Sequence, residues 1–227
     1  MTGTALVVGG GGTLGVAICS DLTQAGYRVL ATGRSRERLA GELVGTPVEP
    51  VEMELDASSV ERVVRAAGPL DVLIYNAGRI DLASLSETTP QMFEEGFRVN
   101  ALGAFLVARA AAPAMVERGR GSMVFIGATS SQRGGARTHA FASSKHALRG
   151  LSQSLAKELA PQGVHVAHLV IDGRIWGPRT LERFPEAKRE NCIDAADVAR
   201  AIRFVVDQPR SAWTFELDVR PFNERWS

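Results

Sequence analysis

The stretch Ala5-Leu6-Val7-Val8-Gly9-Gly10-Gly11-Gly12-Thr13-Leu14-Gly15 decides how this chain is read. Four apolar residues run straight into four glycines, and a helix-period pattern follows at Ala17, Ile18, Leu22 and Ala25. An apolar run with no polar alternation is a strand covered on both faces. Glycine in the turn after it allows a tight reversal, close approach of backbone N–H groups to a phosphate, and close packing of helix on strand. The helix N-terminus adds partial positive charge. Residues 5–15 therefore predict a dinucleotide site in which Gly9, Gly12, Thr13, Leu14 and Gly15 hold a pyrophosphate. A flexible glycine linker is the alternative, and the strand before and helix after the glycines argue against it.

Outward from the turn, the apolar runs 29–31, 51–55, 72–75, 123–126 and 164–171 read as further strands. Between them lie stripes at three- and four-residue steps, such as Val60, Val63, Val64, Ala67 and Leu148, Leu151, Leu155, Leu159. Strand and helix patterns that alternate in this way predict the α/β class, as a doubly wound parallel sheet with helices on both faces. A length of 227 residues suits one domain, 1–227. Thr89 before Pro90 marks a helix start, and Asp194 is placed to cap another. Segment 213–219 alternates apolar and polar residues and reads as a strand near a sheet edge. The charged segment 176–193, with Pro178 and Pro185, is the least regular and reads as a possible substrate lid.

Composition narrows the partners. With 45% hydrophobic and 22% charged residues and a formal net charge of +1, nothing draws the chain to nucleic acid or to an anionic membrane. Cys19 and Cys192 are distant and lie in helix-like stretches, as reduced thiols do. The longest apolar stretch, 101–115, is interrupted by Arg109 and Pro113, and no basic region precedes the first strand. These features predict a cytoplasmic protein with a small-molecule substrate.

The dinucleotide type is read after the second strand, where a carboxylate would bond the ribose 2′-hydroxyl of NAD. The residues there are Thr32, Gly33, Arg34 and Ser35. Arg34, helped by the hydroxyl of Ser35, suits a 2′-phosphate, which favours NADP (NADPH) over NAD. A solvated helix start carrying Arg34 and Arg36 is the alternative.

Other anchors follow: Asp56 after the third strand, Asn76-Ala77-Gly78 after the fourth, Asn100 in a long helix, Lys145 in the next, and Asp172-Gly173 after the sixth strand. Together with the turn they resemble the short-chain dehydrogenase/reductase family over nearly the whole length. The resemblance implies a Rossmann-type sheet of about seven strands and hydride transfer between a nicotinamide and a carbonyl or alcohol. It also implies cofactor contacts from Asp56, Asn76, Ala77, Gly78, Lys145, Gly173 and Ile175, and a homodimer or homotetramer.

The family's catalytic set is an Asn, a Ser, a Tyr and a Lys. Asn100 and Lys145 match it. Four residues before Lys145, at the tyrosine position, stands Phe141, and thirteen before that, at the serine position, stands Ala128. The turn departs as well, since Gly9, Gly12 and Gly15 step by three and Thr13 stands where the main branch has glycine. Loss of a positioned proton donor typically costs on the order of 10² to 10⁴ in rate. Thr129 and Ser130 are candidate replacements that polarise a substrate oxygen, or else they cap a turn. His139 is a further candidate, whereas His146, His165 and His168 read as structural, and no metal-ligand spacing occurs among them. Arg133, Arg137, Arg174 and Arg179 border the expected pocket and suit either an anionic substrate or solvent. Three functions remain open: an NADP(H)-dependent oxidoreductase with an atypical active site, a catalytically inactive NADP(H)-binding regulator or subunit, and a non-redox dehydratase, isomerase or cyclase.

Overall fold

The computed structural model describes residues 3–224. Seven strands form one parallel sheet: β1 (Gly3–Val8), β2 (Tyr27–Gly33), β3 (Glu49–Glu52), β4 (Val72–Tyr75), β5 (Gly121–Ala128), β6 (Val164–Ile171) and β9 (Glu216–Val219), in the order β3-β2-β1-β4-β5-β6-β9. Successive residues of a strand face opposite sides. Ala5 and Val7 of β1 accordingly pack on Ile18, Cys19 and Leu22 of α1 (Gly12–Gln24) and on Val198 and Ile202 of α8 (Ala195–Val206). Leu6 and Val8 meet the other layer, made by α3 (Ala57–Ala67), α5 (Gly103–Glu117) and α6 (His139–Leu159). Each face buries a separate apolar cluster. The doubly wound Rossmann-type architecture is therefore the observed one.

The remaining elements are α2 (Arg36–Glu42), α4 (Pro90–Phe97), α7 (Pro178–Arg183) and a two-stranded parallel pair, β7 (Arg174–Ile175) with β8 (Cys192–Ile193). Several expectations need correction. Cys192 lies in β8 and not in a helix. Asp194 occupies the N-cap of α8, but its carboxylate pairs with Arg189 at 3.2 Å and accepts no helix N–H. The final strand spans only Glu216–Val219, because Thr214 N donates to Gln208 Oε1 and Trp213 stacks on His165. It does lie at the sheet edge. Segment 176–193 is not irregular throughout, since it contains α7, and Trp176 N bonds Ile193 O to hold its two ends together.

The rod Pro90–Glu117 is apolar and long enough to cross a membrane by length and composition. Here it is a core element: Ala104, Val107, Ala108, Ala111 and Met115 are buried against the sheet. A π-helical turn, Arg98–Leu102, interrupts it at Asn100. Such turns recur at functional sites.

Candidate active site

The parallel register brings Val8 opposite Thr32 and Tyr75, and Ala128 opposite Ile171, so the carboxyl ends of the strands share one edge. Strand order reverses between β1 and β4, which opens a crevice there. The glycine turn occupies it. Gly9 N and Gly10 N both donate to Thr32 O, and Asn76 Nδ2 donates to Gly9 O at 2.7 Å. Gly9 has φ +79°, and a Cβ there would stand 2.6 Å from Ala77 N; a Cβ on Gly15 would stand 2.5 Å from Gly9 O. Only glycine fits so tight a cradle at these two positions.

A cavity of about 590 Å³ runs from the turn past Thr32, Gly33, Arg34 and Ser35. Arg34 is exposed and makes no ion pair among the described residues. The Ser35 hydroxyl caps α2 by accepting from Arg38 N at 3.2 Å. Asp56 caps α3 by accepting from Ser59 N at 2.9 Å, and the cavity wall beside it is formed by Met53, Glu54 and Leu55. No motif marks Arg38 or Glu42, and Met53, Glu54 and Leu55 are legible in the sequence only as part of the strand-like run 51–55.

A second cavity, about 870 Å³, joins Thr13, Leu14, Ala128, Thr129, Ser130, Phe141, Lys145, Gly173 and Ile175. Lys145 is buried, and its Nζ donates to Ile126 O at 2.7 Å. Burial pushes its ammonium down to about 8. Asn100 is fully buried in the π turn: its Oδ1 accepts from Arg79 N at 2.9 Å, while its Nδ2 donates to Arg79 O and to Ser144 Oγ. Tyr75 supports that turn from below by donating to Val99 O. A Cβ on Gly78 would lie 3.6 Å from Asn100 Oδ1 and 3.8 Å from Lys145 Nζ, so the two side chains converge on Gly78. Ser144, one residue before Lys145, is a member of this network that spacing did not reveal.

Phe141 presents its ring 6.0 Å from Lys145 Nζ, and Ala128 closes β5 at the same cavity. Beyond Ala128, Thr129 Oγ1 donates to Asp172 Oδ1 at 2.5 Å. The buried Asp172 is also paired with Arg133 and Arg220, each at 3.1 Å. Ser130 is buried as well, and Ser131 Oγ accepts from Ala128 N.

The four arginines read as one set are separated. Arg133 serves Asp172 and Arg137 pairs with Glu87, whereas Arg174 stacks on the Phe184 ring at 4.0 Å and Arg179 faces the turn near Gly12. The histidines have separate surroundings as well. His139 begins α6, and His146 Nδ1 bonds Ala142 O within the same helix. His165 Nε2 bonds Thr214 O, and His168 Nδ1 meets Glu216 at 2.9 Å. Burial pushes His168 down to about 4.

The segment between β7 and β8 closes on the turn itself. A Cβ on Gly177 would lie 2.5 Å from Thr13 Oγ1, and Arg183 Nη2 reaches Ile80 O at 3.4 Å.

The model of one protein family, described as short chain dehydrogenase, matches residues 3–172. The chain belongs to the short-chain dehydrogenase family. It is 27% identical over 225 residues to an uncharacterized oxidoreductase of Staphylococcus aureus strain N315, covering 96% of each chain. A short-chain dehydrogenase from Rhodopseudomonas palustris is similar at 33% identity and TM-score 0.83, covering 96% of this chain and 98% of that one. A metagenomic short-chain oxidoreductase in complex with NADP is similar at 28% identity and TM-score 0.82, with 97% of each covered. Among short-chain dehydrogenases the crevice between β1 and β4 is thus the expected place for a nicotinamide dinucleotide. The residues present fit one: the cradle admits no side chain at Gly9 or Gly15, and the 590 Å³ cavity leads from it to the unpaired Arg34.

Proposed function

We propose that this short-chain dehydrogenase is an NADP(H)-dependent oxidoreductase acting on a small molecule, with an active site that works without the family's tyrosine and serine. The observation that carries the reading is the convergence of Asn100 and Lys145 on Gly78 beside the phosphate turn. A bound nicotinamide supplies or accepts a hydride. The protein's own part begins with the turn, whose N–H groups and helix N-terminus take the pyrophosphate. Arg34 takes the 2′-phosphate, in keeping with the NADP held by the metagenomic relative. Lys145, whose ammonium donates to Ile126 O, would offer its remaining N–H groups to the ribose hydroxyls of a bound nucleotide, and Asn100 fixes the Arg79 backbone and Ser144 around it. Gly173 and Ile175, which line the second cavity together with Lys145, would flank the nicotinamide end.

Proton supply is the distinctive feature. Thr129 commits its hydroxyl proton to Asp172, so it is arranged to accept from a substrate hydroxyl and not to donate to a carbonyl. Phe141 offers nothing to donate. Hydride addition to a conjugated alkene leaves an enolate that water protonates, and an imine enters as an iminium already carrying its proton, so such substrates suit this pocket better than a simple ketone. The protein works as a soluble cytoplasmic homodimer or homotetramer in this proposal.

The same two features favour a second reading, an NADP(H)-binding regulator without turnover. Titration with NADPH and NADH tests what the readings share: NADPH binding at least about tenfold tighter than NADH is expected, and binding of neither overturns both. The pair Ala128→Ser with Phe141→Tyr separates them. The oxidoreductase reading expects alkene or imine reduction by the wild type; the regulator reading expects turnover only in the double variant, with a gain on the order of 10² or more on carbonyls.

A further inference from the structure

The first helical N–H of the phosphate turn is already engaged. Glu42, at the end of α2, places Oε2 2.5 Å from Gly12 N. The same oxygen lies 2.6 Å from where a Cβ on Gly11 would stand, so the carboxylate rests directly on the glycine run. Glu42 is part of the wall of the 590 Å³ cavity, with Gly9, Arg34 and Ser35. The N–H of Gly12 holds its carboxyl below the usual carboxylate range, and Arg38 and Arg179 act in the same direction. To a helix N-terminal donor, a carboxylate oxygen and a phosphate oxygen are equivalent acceptors. Both cannot occupy Gly12 N at once.

We propose that Glu42 is a built-in anionic occupant of the phosphate turn, which the dinucleotide displaces on binding and which thereby sets the affinity for it. The proposal rests on the dinucleotide-binding reading given above. The geometry also supplies the route of displacement. Glu42 Oε1 is already 3.1 Å from Arg38 Nε, one helical turn back on α2. The carboxylate therefore keeps a charged partner on its own helix when it gives up Gly12. Arg179 of α7 has Nη1 3.4 Å from where a Cβ on Gly12 would stand. Its guanidinium faces the carboxylate before the exchange and the incoming phosphate after it. The turn is thus never without an anion. A ligand that lacks phosphate gains nothing by displacing Glu42.

A competing role has the opposite consequence. If the carboxylate bonded a ribose hydroxyl, its removal would weaken binding. The test measures Kd for NADPH, NADH and ADP by calorimetry on the wild type, Glu42→Gln and Glu42→Ala, together with thermal melts of each protein without ligand. Displacing a charge-assisted hydrogen bond predicts that Glu42→Ala binds all three ligands about tenfold more tightly, with Glu42→Gln intermediate. The ligand-free Tm of both variants falls, because Gly12 N loses its charged acceptor. Unchanged or weakened affinity overturns the proposal. Tightening confined to NADPH also overturns it, since Glu42 would then act at the 2′-phosphate and not at the turn. If the dinucleotide reading itself is wrong, neither NADPH nor NADH binds the wild type or either variant, a pattern distinct from a failed affinity ratio.

Discussion

Lys145 carries a buried ammonium that donates to the Ile126 carbonyl, and no carboxylate among the described residues pairs with it. Burial lowers its pKa from 10.5 to about 8. Below about pH 8 both folded and unfolded chains hold the proton, and the folded state bears the full desolvation penalty. Between about 8 and 10.5 the unfolded chain keeps a proton that the folded chain has released, so stability rises with pH in that window. Lys145→Met is therefore expected to be more stable than the wild type at pH 7, by about 1 to 2 kcal/mol after loss of the Ile126 hydrogen bond. That advantage shrinks toward pH 10. Urea unfolding at the two pH values checks it; a variant less stable at pH 7 would show that the hydrogen bond outweighs the buried charge. Dinucleotide affinity should fall in the same variant. A stabilising substitution that impairs binding is the mark of a residue kept for function.

At the scale of elements, the turn and the segment over it fit through one pair. Thr13 brings a side chain to a place where the family's main branch has glycine, and the segment between β7 and β8 answers with Gly177. A Cβ on Gly177 would meet Thr13 Oγ1 at 2.5 Å and both Thr13 Cβ and Cγ2 at 3.2 Å, so an added methyl crowds the Thr13 side chain from its Cβ outward. Gly177→Ala is accordingly expected to lift the start of α7 and carry Arg179 away from Gly12, weakening NADPH binding about fivefold or more through a faster off-rate. Thr13→Gly in the same chain should restore it. Stopped-flow release kinetics on the two single variants and the double variant form the cycle, and additive effects would show that the contact does not seat the segment. This pairing could not be read from sequence, because it joins residues 164 positions apart without charge or periodicity to connect them. The glycine turn could be read, because its strand, glycines and helix are contiguous. Asn100 and Lys145 were placed by motif, but Ser144 and the π turn that presents Asn100 leave no local signature. Asp194 shows the reverse error: its residue type suits capping, yet a nearby arginine claims the carboxylate.

Over the whole molecule, the sheet pattern was legible because strands covered on both faces read as unbroken apolar runs, as residues 164–171 do. The polar residues inside those strands were harder to interpret. His168 is fully buried within β6, where its Nδ1 meets Glu216 of β9 and Glu216 is held by Arg149 of α6 at 2.7 Å. One histidine thus links the last strand, the strand beside it and the helix carrying Lys145. The family model ends at residue 172, so β9 lies beyond the matched region and this network fastens it to the rest. Burial lowers the His168 pKa from 6.5 to about 4, despite the opposing pull of Glu216. Between about 4 and 6.5 the unfolded chain binds a proton that the folded chain refuses. The resulting stability is complete above about pH 6.5 and is lost as pH falls toward 4. Denaturant unfolding from pH 7 to 4.5 should show a loss on the order of 2 kcal/mol assignable to this group. His168→Leu should remove that component while leaving the acid sensitivity due to the carboxylates. If the variant loses stability with the same slope as the wild type, His168 takes up its proton equally in the folded and unfolded chains, and the acid sensitivity belongs to the carboxylates alone.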